Sequence, residues 1–403
     1  MHLDRLQEIL KGGAAIRRVR RLRPAGGPGD KVFPPTYPGP GNSPVHVFEQ
    51  RRIGEDTKTC VLLDSVQSQA NRMELALRDL LRSGRVWIPH ILVDFEGARD
   101  GEEDLSDLGQ LTSLEAPHRV FDAIFRDSVI GGVEFWQTEA GRALIGAKPE
   151  QAEALFELSP TALVFGCWHS TGQGGGLGAK FPRALVSEIV GVDAVSGKRA
   201  ALRVDPLGIS SNAKVRGGPE DWQPAFEGGK GTKNPSEVGH SNVIARVTQN
   251  GERRSIWEQG VTIDHALQTV VLSLPTLRRL RFPINGEADE GRDQAARAVL
   301  TALALLAVVA QDHAGYNLRS RCDLVPDGTA PFEILDADGS VDEFPLDLEA
   351  ACALYRDAVQ AAKAAGLPWR EEPLRLRPQE KLVKIVAESR RLALAGKAEE
   401  AEG

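Results

Sequence analysis

The sequence predicts an α+β fold in which a small strand-and-helix framework is interrupted by two large insertions. Three observations lead there. A β-branched run from Thr59 to Leu63 passes into a helical repeat, two extended runs lie between 184 and 209, and an apolar helix over 291–315 sits between extended segments at 268–282 and 316–325.

The chain opens on MHLDRLQEILKGG, amphipathic and charged throughout, which lacks the apolar stretch and small-residue cleavage site of a secretory leader. An arginine cluster follows at Arg17, Arg18, Arg20, Arg21 and Arg23 and reads as a solvated arm. The Pro/Gly-rich stretch from Pro24 to Pro44 excludes helix and central strand. Beyond Leu63, apolar Val66, Ala70, Met73, Leu77, Leu80 and Leu81 recur at helical spacing. From Ser83 to Lys180 no period dominates, apart from a helix expected near Pro117 to Phe125. That region reads as an elaborate insertion.

The runs 184–195 and 199–209, separated by Gly197 and Lys198, suggest a hairpin. Residues 210–242 are rich in Gly, Pro, Ser, Asn and Lys, and a loop of that length is functional or disordered. After the helix at 291–315 and the extended segment at 316–325, a more polar helical tail runs from about Asp347 to Ala395. Without the insertions the order is strand, helix, strand, strand, helix, strand. This is the ferredoxin-like order, shared by RNA-recognition folds.

Composition sets outer limits. With 403 residues the chain can bury a substantial core, while 41 glycines and 24 prolines require many turns. The apolar stretch Ala298–Ala310, bounded by Arg297 and Asp312, is shorter than the ~20 residues of a membrane span and reads as a buried helix. A cytoplasmic protein with no membrane partner is expected. Cys60, Cys167, Cys322 and Cys352 are scattered with no C-x-x-C pair, so they read as buried free thiols. The net charge of -7 argues against a nucleic-acid partner only if spread evenly. Residues 161–285 hold fifteen Lys and Arg against ten Asp and Glu, a basic middle on an acidic chain.

Catalytic and nucleotide motifs fail at named positions. In STGQGGGLGAK, Lys180 follows Ala179 where a P-loop needs glycine, and Ala179 also replaces the third glycine of a dinucleotide fingerprint. Trp168 stands where a nucleophile elbow around Ser170 needs its first glycine, and Cys167 and Trp168 read as a packed strand end. No H-E-x-x-H pair or carboxylate cluster anchors a metal, and no cofactor is expected. What remains is a set of donors. Ser65, Gln67, Ser68, Asn71 and Arg72 surround a strand-to-helix junction where helix N–H groups favour phosphate, although Ser65 also suits plain capping. Lys180 beside the glycine-rich loop can approach a sugar-phosphate chain.

Five separated blocks then carry a resemblance: LLDSVQSQANRMEL (62–75), SLEAPHRVFDAI (113–124), VFGCWHSTG (164–172), KFPRALVSEIVG (180–191) and PSEVGHSNV (235–243). Together they resemble the guide-RNA-coating backbone RAMP subunit of type I-U, or I-G, CRISPR-Cas effectors, over roughly residues 45–325. The resemblance implies a ferredoxin-like, RNA-recognition-like palm with large fingers and thumb insertions. In those terms 1–44 is an N-terminal arm with its Pro/Gly-rich segment, 45–83, 181–204 and 266–330 are palm, 84–180 fingers, 205–265 thumb, and 331–403 a C-terminal helical region.

It also implies a role without catalysis. The subunit binds guide RNA (crRNA) regardless of sequence and multimerises along it, while base pairing recognises target DNA. Its other partners are the large subunit, the guide-end-capping subunit and a helicase-nuclease recruited on target binding. RNA contacts are expected at Ser65, Gln67, Ser68, Asn71, Arg72, His118, Arg119, Ser170, Lys180, Arg183, Lys214, Arg216, Lys230, Lys233 and His240. Some RAMP relatives cut repeat RNA with a histidine. That leaves a metal-independent endoribonuclease using His118, His169 or His240 as the alternative. With 5% aromatic residues, backbone contacts outweigh base stacking.

Overall fold

Strand alternation organises the N-terminal segment. After helix α1 (Leu3–Gly12), strand β1 (Ala15–Pro24) buries Ile16, Arg18, Leu22 and Pro24 and turns Val19, Arg21 and Arg23 outward. The arginine cluster is therefore a central strand and not the solvated arm expected within 1–44. Arg18 hides the period of two because it occupies an inward position. Its guanidinium donates to Oδ1 of Asp312 at 2.8 Å and to Oε1 of Gln268 at 3.2 Å, and it lies 5.0 Å from the Phe332 ring centroid. The computed structural model describes residues 1–40, 44–170, 178–200, 202–210, 212–226, 229–240, 243–244, 247–249, 252–254 and 256–402.

Strands β2 (Phe48–Ile53) and β3 (Asp56–Asp64) form a hairpin, and β3 leads into α2 (Val66–Arg82), as the sequence predicts. The next region contains β4 (Ile91–Asp94), β5 (Gln110–Thr112), α3 (Ala123–Arg126), β6 (Ser128–Ile130), β7 (Val133–Glu134), α4 (Glu139–Ile145), α5 (Glu153–Leu158) and α6 (Thr161–Phe165). The helix expected over 117–125 is reduced to a 3-10 turn at Arg119–Phe121 followed by α3. Asp122 divides them, its carboxylate accepting from the N–H groups of His118 and Ile124. Two short paired strands, β8 (Cys167–Trp168) and β9 (Lys180–Phe181), flank the glycine-rich loop, of which 171–177 lie outside the described residues.

Strand β10 (Leu185–Val192) pairs with β3 and with β13 (His265–Ser273). The predicted hairpin of 184–195 with 199–209 does not form. The chain turns at Asp193, whose φ is +52°, and β11 (Val195–Ala200) pairs instead with β12 (Ile256–Thr262). Between those stem strands, Val215–Arg216 pairs with Gln223–Pro224. The strand expected to reach 282 stops at Ser273, which caps α7 (Leu274–Arg278), with Pro275 in the first turn.

Helix α8 (Glu290–Ala314) follows, then β14 (Tyr316–Arg319) and β15 (Cys322–Pro326), a hairpin where one strand was expected. Arg321, at φ +61°, makes the turn. The C-terminal region is less helical than its polar pattern suggests. A hairpin of β16 (Phe332–Leu335) and β17 (Val341–Phe344) precedes α9 (Leu348–Ala364), and β18 (Leu374–Pro378) separates it from α10 (Glu380–Glu402).

The nine-stranded main sheet has the path β14-β15-β1-β13-β10-β3-β2, with the β16–β17 hairpin attached to β1. Its core, β15-β1-β13-β10, is antiparallel and reads 4-1-3-2 in ferredoxin-like numbering. The fold class is thus α+β as predicted, but the first strand of the motif is the arginine-rich β1, and β3 adds outside β10. A second, five-stranded sheet of order β7-β6-β18-β4-β5 recruits residues 374–378 from the far end of the chain, so the 84–180 insertion is not self-contained.

One face of the main sheet is covered by α1, α2 and α8, whose Leu6, Leu77 and Leu303 are fully buried. On the other face Leu22, Val61, Leu63, Val261 and Leu324 form a smaller core against the β12 stem. Helix α8 is long and apolar enough to cross a membrane, yet 94% of its most apolar window is buried inside the protein.

Candidate nucleic-acid interface

The strand-to-helix junction is built around Asp64, the last residue of β3 and fully buried. Its carboxylate accepts from Ser68 Oγ at 2.8 Å, Gln69 Nε2 at 2.7 Å, Arg72 Nε at 2.9 Å and Arg319 Nη2 at 3.0 Å. Arg72 also donates to the carbonyls of Asn317 and Leu318. Ser65 caps α2, accepting from the Ser68 N–H at 3.3 Å. Of the five donors expected at this junction, Arg72 and Ser68 are thus committed to the fold and Ser65 to the cap. Gln67 and Asn71 remain exposed to solvent. Gln69 extends the cluster inward, accepting from Ser187, Gln268 and Gln311, all buried.

Two turns along α2, buried Glu74 meets Arg119. Nε and Nη2 of Arg119 lie 2.8 Å from Oε1 and Oε2, and Nη1 donates to the Gly166 carbonyl at 3.0 Å. Burial pushes the Glu74 carboxyl up to about 7, against the pull of Arg119. Arg119, expected to touch RNA, is only 6% exposed and fully engaged. Gly166 has φ +78°, and a Cβ there would lie 2.9 Å from the Arg183 nitrogen, so only glycine lets these backbones approach.

Above this pair lies an open cleft of about 450 Å³. The structure brings five predicted residues to its walls, His118, Arg119, Ser170, Lys180 and Arg183, although they come from three separate sequence blocks. His118, Ser170 and Lys180 are exposed. Arg183 is half-buried and donates from Nε to the Phe165 carbonyl at 3.2 Å, and burial, then nearby Arg119, lower its pKa. No carboxylate lines the cleft among the described residues. Cys167 is buried, and its thiol is pushed up to about 12 by desolvation, as befits an inert packed cysteine. Trp168, expected to pack at a strand end, is instead 50% exposed, with the Lys180 ammonium 5.1 Å from its ring centroid.

The third set lies on the loop between the stem strands. Lys214 donates to Asn234 Oδ1 at 2.7 Å, the Lys233 backbone bridges to Val215, and the His240 ring meets Trp222 edge-on at 5.2 Å. Arg216 and Lys230 are exposed, as are Leu207 and Phe226. The three histidines of the alternative reading have different settings. His118 is on the cleft wall and His240 on the stem loop. His169 is buried against Phe121 and Trp136, and burial lowers its pKa. No group of three or more His, Cys, Asp or Glu side chains suited to a metal occurs among the described residues.

Sheet order defines an α+β protein with a ferredoxin-like sheet, whose cleft carries Lys180 and Arg183 and no carboxylate among the described residues. Residues 16–196, under half of the chain, match the family described as CRISPR-associated protein GSU0053, and that match supports a CRISPR-associated RAMP subunit. No curated protein matches the sequence. One solved chain, from a "CRISPR RNA-guided surveillance complex, pre-nicking", is 10% identical with a TM-score of 0.32. The alignment covers 93% of this chain and 99% of that one, a likeness too slight to bear on fold or function.

Proposed function

We propose that this chain is a non-enzymatic, cytoplasmic backbone subunit of a type I CRISPR surveillance complex of the I-G (I-U) kind. It binds guide RNA regardless of sequence, and several copies line the spacer portion. Target DNA is then read by base pairing. The large subunit, a guide-end-capping subunit and a recruited helicase-nuclease complete the assembly. One observation carries the reading: His118, Ser170, Lys180 and Arg183 meet around one open cleft inside the stretch matched by a CRISPR-associated family. Cations and hydroxyls without a facing carboxylate suit phosphate and ribose, which carry no sequence information.

The test is to purify the full chain alone and after co-expression with a CRISPR array, then measure mass and bound nucleic acid. A particle of several chains on one RNA is expected. A chain that stays monomeric and free of RNA in both preparations would overturn the proposal.

A further inference from the structure

We propose that Trp168 is a stacking platform for one unpaired base of the bound RNA, an inference that rests on the guide-coating reading above. Strand alternation places it. In the β8–β9 pair, Cys167 faces Phe181 and both are buried, so Trp168 and Lys180, the next pair, point out over the cleft. Trp168 is the most exposed of the chain's six tryptophans; the other five are half-buried or buried. Trp87 and Trp257 also spend their N–H groups within the protein, on the Arg370 carbonyl and on Gln259. Leaving half an indole in water forgoes a large burial gain, which a base stacked on the ring would recover.

The surroundings suit a nucleotide more than an apolar side chain. Lys180 stands against the ring face, within reach of a phosphate flanking the stacked base, and Arg183 and Ser170 line the same cleft. Its volume of about 450 Å³ falls in the ~300–1,000 Å³ range of ligand sites. The ring also sits on a rigid base. The Glu74–Arg119 pair anchors the Gly166 carbonyl just before β8, so the platform is tied to the helix that carries the junction donors.

The full-length chain, with Trp168→Ala, Trp168→Phe and Lys180→Ala variants, is titrated with single-stranded RNA, with the same RNA carrying scattered abasic sites, and with DNA of the same sequence. Circular dichroism checks each fold. Trp168→Ala is expected to weaken RNA binding about ten-fold for unrelated sequences while leaving the salt slope unchanged, because stacking releases no counterions. Trp168→Phe should restore most of the affinity. Lys180→Ala should make the salt slope shallower. Abasic sites should weaken the wild type but not Trp168→Ala. If Trp168→Ala binds RNA like the wild type, the platform is overturned while the guide-coating reading stands. If the loss appears with DNA alone, the base belongs to a DNA strand and the RNA assignment falls. A wild type that binds no RNA overturns both.

Discussion

Arg119 and Glu74 face each other as a two-pronged pair, both contacts at 2.8 Å, with the carboxylate 2% exposed and the guanidinium's residue 6%. The pair joins the 3-10 turn after Pro117 to the middle of α2, across a sequence separation of 45 residues. Removing one member leaves the other buried without its counter-charge, which costs about 3–5 kcal/mol, more than the pair itself contributes over an apolar replacement. Arg119→Ala is therefore expected to lower the unfolding free energy by that amount, seen as a lower urea midpoint at unchanged slope. Measured on the folded fraction alone, RNA affinity should fall no further than in Trp168→Ala, because Arg119 acts on RNA only through the platform it anchors.

The junction donors separate into two groups on the same reasoning. Asp64→Ala strands Arg72 and Arg319 and should cost about 3–5 kcal/mol. Ser65→Ala should cost about 1 kcal/mol for the lost cap. Gln67→Ala and Asn71→Ala, at exposed positions, should stay within about 0.5 kcal/mol of the parent. Only these last two variants report RNA contact without a stability change. Chemical denaturation of the four variants decides the partition.

Legibility followed from how regular each local pattern is. The β3–α2 junction and α8 are plain in the sequence because their apolar periods are unbroken. Strand β1 is not, because Arg18 takes an inward place whose partners, Asp312 and Gln268, lie some 250 to 300 residues away. In sequence, strand β18 resembles part of a helical tail for a similar reason. Its Leu374 and Leu376 alternate with Arg375 and Arg377, and its neighbour β4 is supplied from residues 91–94. The cleft residues are legible one by one, since donors of the right type are visible in sequence. Their meeting was not visible, and neither was the outward face of Trp168. The alternation of Cys167, Trp168 and His169 was the available signal: it puts the tryptophan opposite two buried neighbours. Glu74 carried no signal, because a lone acid in an amphipathic helix looks like a solvated one.

Mild acid should destabilise the protein through its buried histidines. Burial lowers the pKa of His46, His90 and His169. His46 is further held as the neutral ring by Nε2, which accepts from the Gly260 N–H at 2.9 Å, while the Nδ1 contact with the Pro35 carbonyl pulls more weakly the other way. Below about pH 6.5 the unfolded chain therefore binds protons that the folded chain refuses, and stability falls with falling pH. Glu74 acts with the opposite sign. Its carboxyl, raised to about 7, keeps a proton in the folded state from there down to its unfolded value, and so offsets part of the loss. With the three histidines set against the raised carboxyls of Glu74 and Asp293, the melting temperature should fall between pH 7.5 and 5.5. His169→Phe, which keeps the contacts with Phe121 and Trp136, should reduce that fall. A melting temperature that rises over the interval would contradict this balance.

The stem loop makes a different kind of contribution from the cleft. Arg216 and Lys230 are exposed, so on the guide-coating reading they meet phosphate alone, whereas Lys214 already has Asn234. A cation that only neutralises phosphate acts through counterion release. Its loss should make the plot of log affinity against log salt shallower by about 0.7 per contact on a single strand, equally for unrelated sequences. Fluorescence anisotropy across a salt series, with Arg216→Ala and Lys230→Ala alone and combined, measures this directly. The single effects should add, because neither side chain needs the other for its position. A loss confined to one RNA sequence, or a slope unchanged in the double variant, would remove the loop from the RNA path and leave its exposed Leu207 and Phe226 as a protein contact.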